Sequence, residues 1–313
     1  MKGSRRSRRG VPLLTAARLG RYAWLLHGFT ARQPGELNLT YSVGQALAAV
    51  TRNRRALLGS LPSPAAAERW QLVTLRQRHS DIIQVIHRTP PGKTLVGSSG
   101  GRFLRERDGA VKLAGDALVT NQPGLLLAVQ VADCLPILLV DPRKRVVAAV
   151  HSGWRGTVKR ITEKAVGRMR QEFGCEARTM LAAIGPGIHR CCYPVGREVA
   201  ETFASQFPYW KNVIRRTQPS PTEVHWQQPV FAPAPGAPRP RPAVTPPPGE
   251  KFHLDLVEAN RRQLRAAGLR AGNVWASPLC TACRTDLFFS HRAEQGRTGR
   301  MMGLVGLVNR QCH

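Results

Sequence analysis

The chain has 313 residues, 42% of them hydrophobic, which is enough to bury a core and too apolar for wholesale disorder. No apolar run approaches the ~20 residues that span a bilayer, so no membrane protein is expected. Lys and Arg total 47 against 19 Asp and Glu, a formal charge of +28, but no zinc-finger, RNP-type or basic-zipper pattern accompanies it, so a nucleic-acid binder would rest on charge alone.

Residues 1–20, opening MKGSRRSRRG, read as a basic tail leading into the first strand of one domain over 21–310. Arg18 and Arg21 interrupt its apolar part and no small-residue cleavage pattern follows, which argues against a secretory signal. From Asp116 onward, DALVT, LLLAVQV, PILLV and VVAAV are short β-rich runs separated by turn segments, the pattern of buried strands. Val158, Ile161, Ala165, Val166 and Met169 follow at helical spacing with basic residues between them, predicting one amphipathic helix against the sheet. Thr179–Ile184 reads as a strand, GPGIHRCCYPVG as a loop, and Val199, Phe203 and Phe207 as one face of a helix.

Residues 218–249 are proline-rich, and proline lacks the amide donor that ladders and helices need, so they read as an insertion within the domain. Asp255 and Glu258 have the spacing of an N-cap and its N3 acid, and Gly268 closes that helix. VWAS, LFFS and GLVGLV return to strand. The order predicts a single mixed α/β domain.

Three segments carry soft or borderline metal donors at strand ends or turns: Gln77-Arg78-His79, Ala132-Asp133-Cys134 and His151-Ser152-Gly153-Trp154-Arg155-Gly156. Zinc held by three protein ligands keeps a position for water or substrate. On spacing alone, a buried cysteine and two hydrogen-bonded histidines explain the same residues. The seven cysteines are too few for a disulfide scaffold and read as reduced thiols of a cytoplasmic chain. Cys280-Thr281-Ala282-Cys283 has no second pair at finger spacing and no thioredoxin-like surroundings, so Cys280 reads as packing and Cys283 as incidental. His189, His225, His253 and His291 have no partnered motif and read as structural or solvent-facing.

GDALVT, LAVQVADCLPILLVD, VAAVHSGWRGT, IGPGIHRCCYPVG and FFSHRAEQGRTGRMMGLVGL together resemble the YfiH family. Its members have been described as laccase-domain polyphenol oxidases, as purine nucleoside phosphorylases with adenosine deaminase activity, and as peptidoglycan editing factors. The resemblance implies a layered αββα-type sandwich and zinc ligands at His79, Cys134 and His151. It departs from the family at Gln-Arg-His-Ser, where Gln-Val-His-Gly is usual, so Ser80 stands where glycine would tolerate a positive φ. HGFTARQPGELNL resembles a shortened family loop in which Arg32 and Asn38 keep their types.

The implied substrates are phosphate and adenosine, inosine or 5′-methylthioadenosine, with loss of ammonia from adenine as a second reaction. On this reading Arg32, Arg155 and Arg292 are candidates for phosphate, Asn38 for substrate binding, and Asp133 for orienting a ligand or accepting a proton. The alternatives are a peptidoglycan-precursor editing hydrolase on the same fold and a copper polyphenol oxidase. Copper is the weaker expectation, because nine scattered histidines do not form the linked clusters several coppers need.

Overall fold

A computed structural model describes residues 11–32, 36–41, 46–63, 69–89, 94–97, 104–217 and 251–308. The proline-rich stretch 218–249 and residues 1–10 of the basic tail lie outside them. The chain divides into two units, one of Met1–Cys192 with Asp255–His313 and the other of Tyr193–Leu254.

The first unit contains two seven-stranded sheets. One runs in the order β1 (Leu13–Leu14), β2 (Leu25–Thr30), β17 (Met301–Leu307), β9 (Leu125–Val131), β3 (Gln71–Arg76), β7 (Val111–Ala114) and β6 (Leu104–Arg105). The other runs β16 (Val274–Ala276), β12 (Leu181–Ile184), β10 (Leu135–Asp141), β11 (Val146–Ser152), β8 (Ala117–Thr120), β4 (Ile83–Thr89) and β5 (Thr94–Gly97). Parallel and antiparallel pairs mix in both.

Side-chain alternation assembles the layers. In β9, Leu125, Leu127 and Val129 point into a core shared with Leu138, Val140, Val147 and Ala149 of the facing sheet. Leu126 and Ala128 join Leu72, Leu304 and Leu57 on the opposite side, where helix α1 (Leu47–Ser60) covers the first sheet. The second sheet is covered by α3 (Ile161–Phe173), whose Ile161, Ala165, Val166 and Met169 are all buried, with α6 (Leu256–Ala266) alongside it. The arrangement is an αββα sandwich, and strands buried on both faces explain the near-continuous apolar runs.

Asp255 caps α6 by accepting from the Glu258 amide, and Gly268 follows the helix with φ +102°. The second unit holds β13 (Pro194–Val195), β15 (Lys251–Leu254) and β14 (Ile214–Thr217) in one antiparallel sheet, with helices α4 (Arg197–Gln206) and α5 (Trp210–Val213). No helix among the described residues is long and apolar enough to cross a membrane.

Three readings of local structure change. Val158 and Ile161 do not share one helix: α2 (Trp154–Val158) ends at Lys159, and Arg160 is left-handed with φ 59°. The cause is tertiary, since Gln263 of α6 donates to the Thr157 carbonyl at 2.6 Å. LFFS is not a strand; Phe288 and Phe289 are buried in a turn with Val131 and Met301, and aromatic bulk rather than ladder pairing explains the run. The segment expected as the end of the tail also enters the fold, because β1 pairs with β2 and Ala16 and Leu19 are buried in the main core.

Candidate active site

Strand pairing brings the three donor segments together. In the β10–β11 ladder Leu135 lies opposite Ser152 and Pro136 opposite His151, so the turn carrying Cys134 meets the end of β11. His79 follows β3 in a turn where it takes φ 56°. One donor atom from each of His79, Cys134 and His151 lies within 4.8 Å of the others. Cys134 Sγ is 3.8 Å from His79 Nε2, and the two imidazoles meet edge to face with centroids 5.0 Å apart.

The residue that organises this group is Asp116, fully buried at the start of β8. Its carboxylate accepts from the amides of Arg78, His79 and Ser80, from the Ser80 hydroxyl at 2.5 Å, and from His151 Nδ1 at 2.8 Å. It therefore shapes the His79 turn and directs the other nitrogen of His151, the arrangement that commonly orients a metal-ligating histidine. Burial opposes ionisation of Asp116, but the bonds from His151 and Ser80 outweigh it and hold the carboxyl well below the usual carboxylate range. Ser80 is thus not the strained residue of the turn. His79 carries the positive φ, and the serine adds a bond that glycine could not make.

Burial also pushes the Cys134 thiol up, yet His151 and His79 bring it down to about 6. His151 is raised to about 9 against the effect of its burial, by Cys134 and Asp116. Each shift draws on the other group, so the two belong to the pair and not to either residue alone. Close approach is essential here, because a Cβ placed on Gly153 would lie 2.7 Å from Cys134 Sγ and 3.1 Å from His79 Cδ2.

The group opens on a cleft of about 380 Å³ lined also by Thr40, Arg76, Gln77, Lys112, Gln130, His291 and Arg300. Gln77 ties the end of β3 to Gln130 through two 2.8 Å bonds to its backbone. Gln130 accepts from Thr40, while its buried Nε2 has no hydrogen-bond partner among the described residues.

The other expected residues do not line this cleft. Asp133 accepts from Thr281 Oγ1 at 2.6 Å, Ser290 Oγ at 2.8 Å and the Arg292 amide at 2.6 Å, which ties the chain around it together. Arg32 is held by Glu36 and Glu294, lies over Phe289 and is largely neutralised. Arg155 is exposed beside the Trp154 ring, and Arg292 is exposed as well. Asn38 is buried, with Oδ1 accepting from the Thr40 and Arg300 amides, so it positions two lining residues.

Sequence reasoning missed Asp116, Gly153, Gln130 and Arg300, and left His291 without a role. An ionisable residue opening the fully buried strand of DALVT was the available signal for Asp116. Nothing local marked Gln130, which lies within β9, or Arg300, which immediately precedes β17.

A family model described as multi-copper polyphenol oxidoreductase laccase matches residues 26–308. The chain belongs to this family. A relative named purine nucleoside phosphorylase YlmD, from Geobacillus stearothermophilus, is 32% identical over 293 residues, 91% of each chain. Another, named adenosine deaminase RL5, from an unknown prokaryotic organism, is 36% identical over 185 residues, 59% of each chain. The crystal structure of the hypothetical protein YfiH of Bacillus licheniformis matches with a TM-score of 0.69 at 29% identity, covering 90% of this chain and 92% of that one. The family description names several coppers. Among the described residues the groups able to hold a metal are His79–Cys134–His151 and a set of four cysteines, and neither supplies the linked histidines of a multicopper centre.

Proposed function

We propose that the chain is a zinc-dependent purine nucleoside phosphorylase that also deaminates adenosine. The observation that carries this reading is an open set of one thiolate and two imidazoles at a cleft of small-molecule size. The names of the relatives supply the reaction class. When bound, zinc would supply Lewis-acid polarisation at its open position.

The chain's own residues suit the remaining tasks. Arg300 Nη1 is taken by the Thr298 and Gly299 carbonyls, which aims the rest of its guanidinium, and Arg300 and Arg76 give the cleft cationic donors for phosphate. Gln130 Nε2, buried and without a partner among the described residues, gives a donor for the purine or ribose. In phosphorolysis a phosphate oxygen bonds to C1′ as the C1′–N9 bond breaks. The electron pair leaves with the purine, which takes up a proton, and His291, which lines the cleft, would supply it. In deamination the oxygen of water replaces nitrogen at C6 and ammonia departs.

Metal-replete protein is incubated with adenosine, inosine or 5′-methylthioadenosine. Free base is expected only with phosphate present, and ammonia from adenosine without it. Cys134→Ala is expected to lose its metal and both activities. No turnover of any of the three nucleosides would refute the proposal.

A further inference from the structure

The four-cysteine cluster lies outside the lining of the cleft. We propose that Cys191, Cys192, Cys280 and Cys283 form a second metal site, a closed tetrathiolate that holds one zinc ion and staples two loops of the laccase-domain fold. The proposal does not depend on the reaction assigned above.

The four sulfurs lie within 4.8 Å of one another. Cys283 Sγ is 3.5 Å from Cys191 Sγ and 3.3 Å from Cys192 Sγ. Zinc–sulfur bonds of ~2.3 Å in a tetrahedron separate the sulfurs by about 3.8 Å, so small side-chain adjustments suffice. Disulfide bonding needs ~2.05 Å, and all four residues are free thiols.

The backbone builds the cluster from segments 91 residues apart. Gly187 and Cys280 form a parallel bridge, with the Thr281 amide donating to the Gly187 carbonyl at 3.0 Å. A 3-10 turn over Arg190–Cys192 lets two adjacent cysteines both reach Cys283. The Arg284 amide donates to the Cys280 carbonyl, closing the Cys-x-x-Cys turn. The His189 amide approaches Cys280 Sγ at 3.4 Å, and such N–H donors support metal-bound thiolates. A set with four thiolates and no open position is structural in character.

The staple would act next to the cleft. The loop before Cys191 donates from the Ile188 amide to the Asp133 carbonyl at 2.8 Å. The segment after Cys280 supplies Thr281, Ser290 and the Arg292 amide to the Asp133 carboxylate. Asp133 precedes Cys134, and His291 lines the cleft. An ion across the cysteines would hold both loops against that turn.

The test uses the full chain carrying Cys134→Ala, which removes the sulfur of the first site, loaded with cobalt(II). One equivalent of cobalt with intense thiolate charge-transfer absorption is expected, displaced by zinc. Adding Cys283→Ser, at an exposed position, is expected to abolish it while circular dichroism stays unchanged. Cadmium-113 resonance on the unmutated chain gives a check free of folding effects, with a signal expected in the tetrathiolate range. Absence of that signal, cobalt absorption indifferent to Cys283→Ser, or recovery of the four cysteines as disulfides instead of a metal complex would each overturn the proposal.

Discussion

Gly153→Ala separates the geometry of the three-donor site from its donor inventory, because all three ligands remain. Gly153 has φ −87° and ψ −178°, so alanine meets no backbone strain. Its methyl would lie 2.7 Å from Cys134 Sγ, about 1 Å inside ordinary contact. Metal bonds tolerate displacements of only ~0.2 Å, so the thiolate or the His79 ring has to leave its bonding position. We expect metal affinity to fall by about 10–100-fold, or ~1.4–2.7 kcal/mol, and metal-free stability to fall by ~1–3 kcal/mol from overpacking. Gly153 is also the N-cap of α2, and losing a better cap for alanine contributes to stability but not to metal affinity. Chelator competition on folded protein reads the affinity, and urea unfolding of the metal-free chain reads the stability. An unchanged affinity would refute the argument that the three donors converge on one ion.

Gly167→Ala in α3 is the opposite case, since a Cβ there meets nothing within 4 Å; stability should rise by ~0.5–1 kcal/mol, measured by the same unfolding assay. Asp116→Asn keeps the size of the side chain but removes the charge that faces His151, and metal affinity should drop about 10–100-fold, read by chelator competition; full retention would remove Asp116 from its organising role. His27 is buried, and burial, partly offset by its bond to Ala16, lowers its imidazole to about 4. Below the unfolded value of about 6.5 the unfolded chain binds a proton that the native one refuses. Its stabilising effect is therefore complete above pH 6.5 and is lost as pH falls to about 4, by ~3 kcal/mol in total. Unfolding across that window checks this, and His27→Gln should flatten the slope.

Much of the fold was legible because its code is local. DALVT, LLLAVQV, PILLV and VVAAV are strands since β-rich apolar text buried on both faces has little other use, and Asp255 with Glu258 marks α6 through contacts within one turn. LFFS misled for the same reason, as its apolarity records burial and not ladder pairing. The donors His79, Cys134 and His151 were nameable by resemblance, whereas Arg32, Arg155 and Arg292 fit the phosphate chemistry only as residue types and lie off the described cleft.

By itself, then, the sequence determined the central strands β8 to β11, where α6 begins, and which side chains are chemically able to hold a metal. Tertiary structure alone decided that one buried carboxylate, Asp116, serves both the His79 turn and His151, that Arg300 and Gln130 face the cleft, and that the Cys191–Cys192 pair meets Cys280 and Cys283. The physical reason is range: capping and alternation act over a few residues, whereas these encounters are set by the register of strands paired across the sandwich, which no single segment encodes.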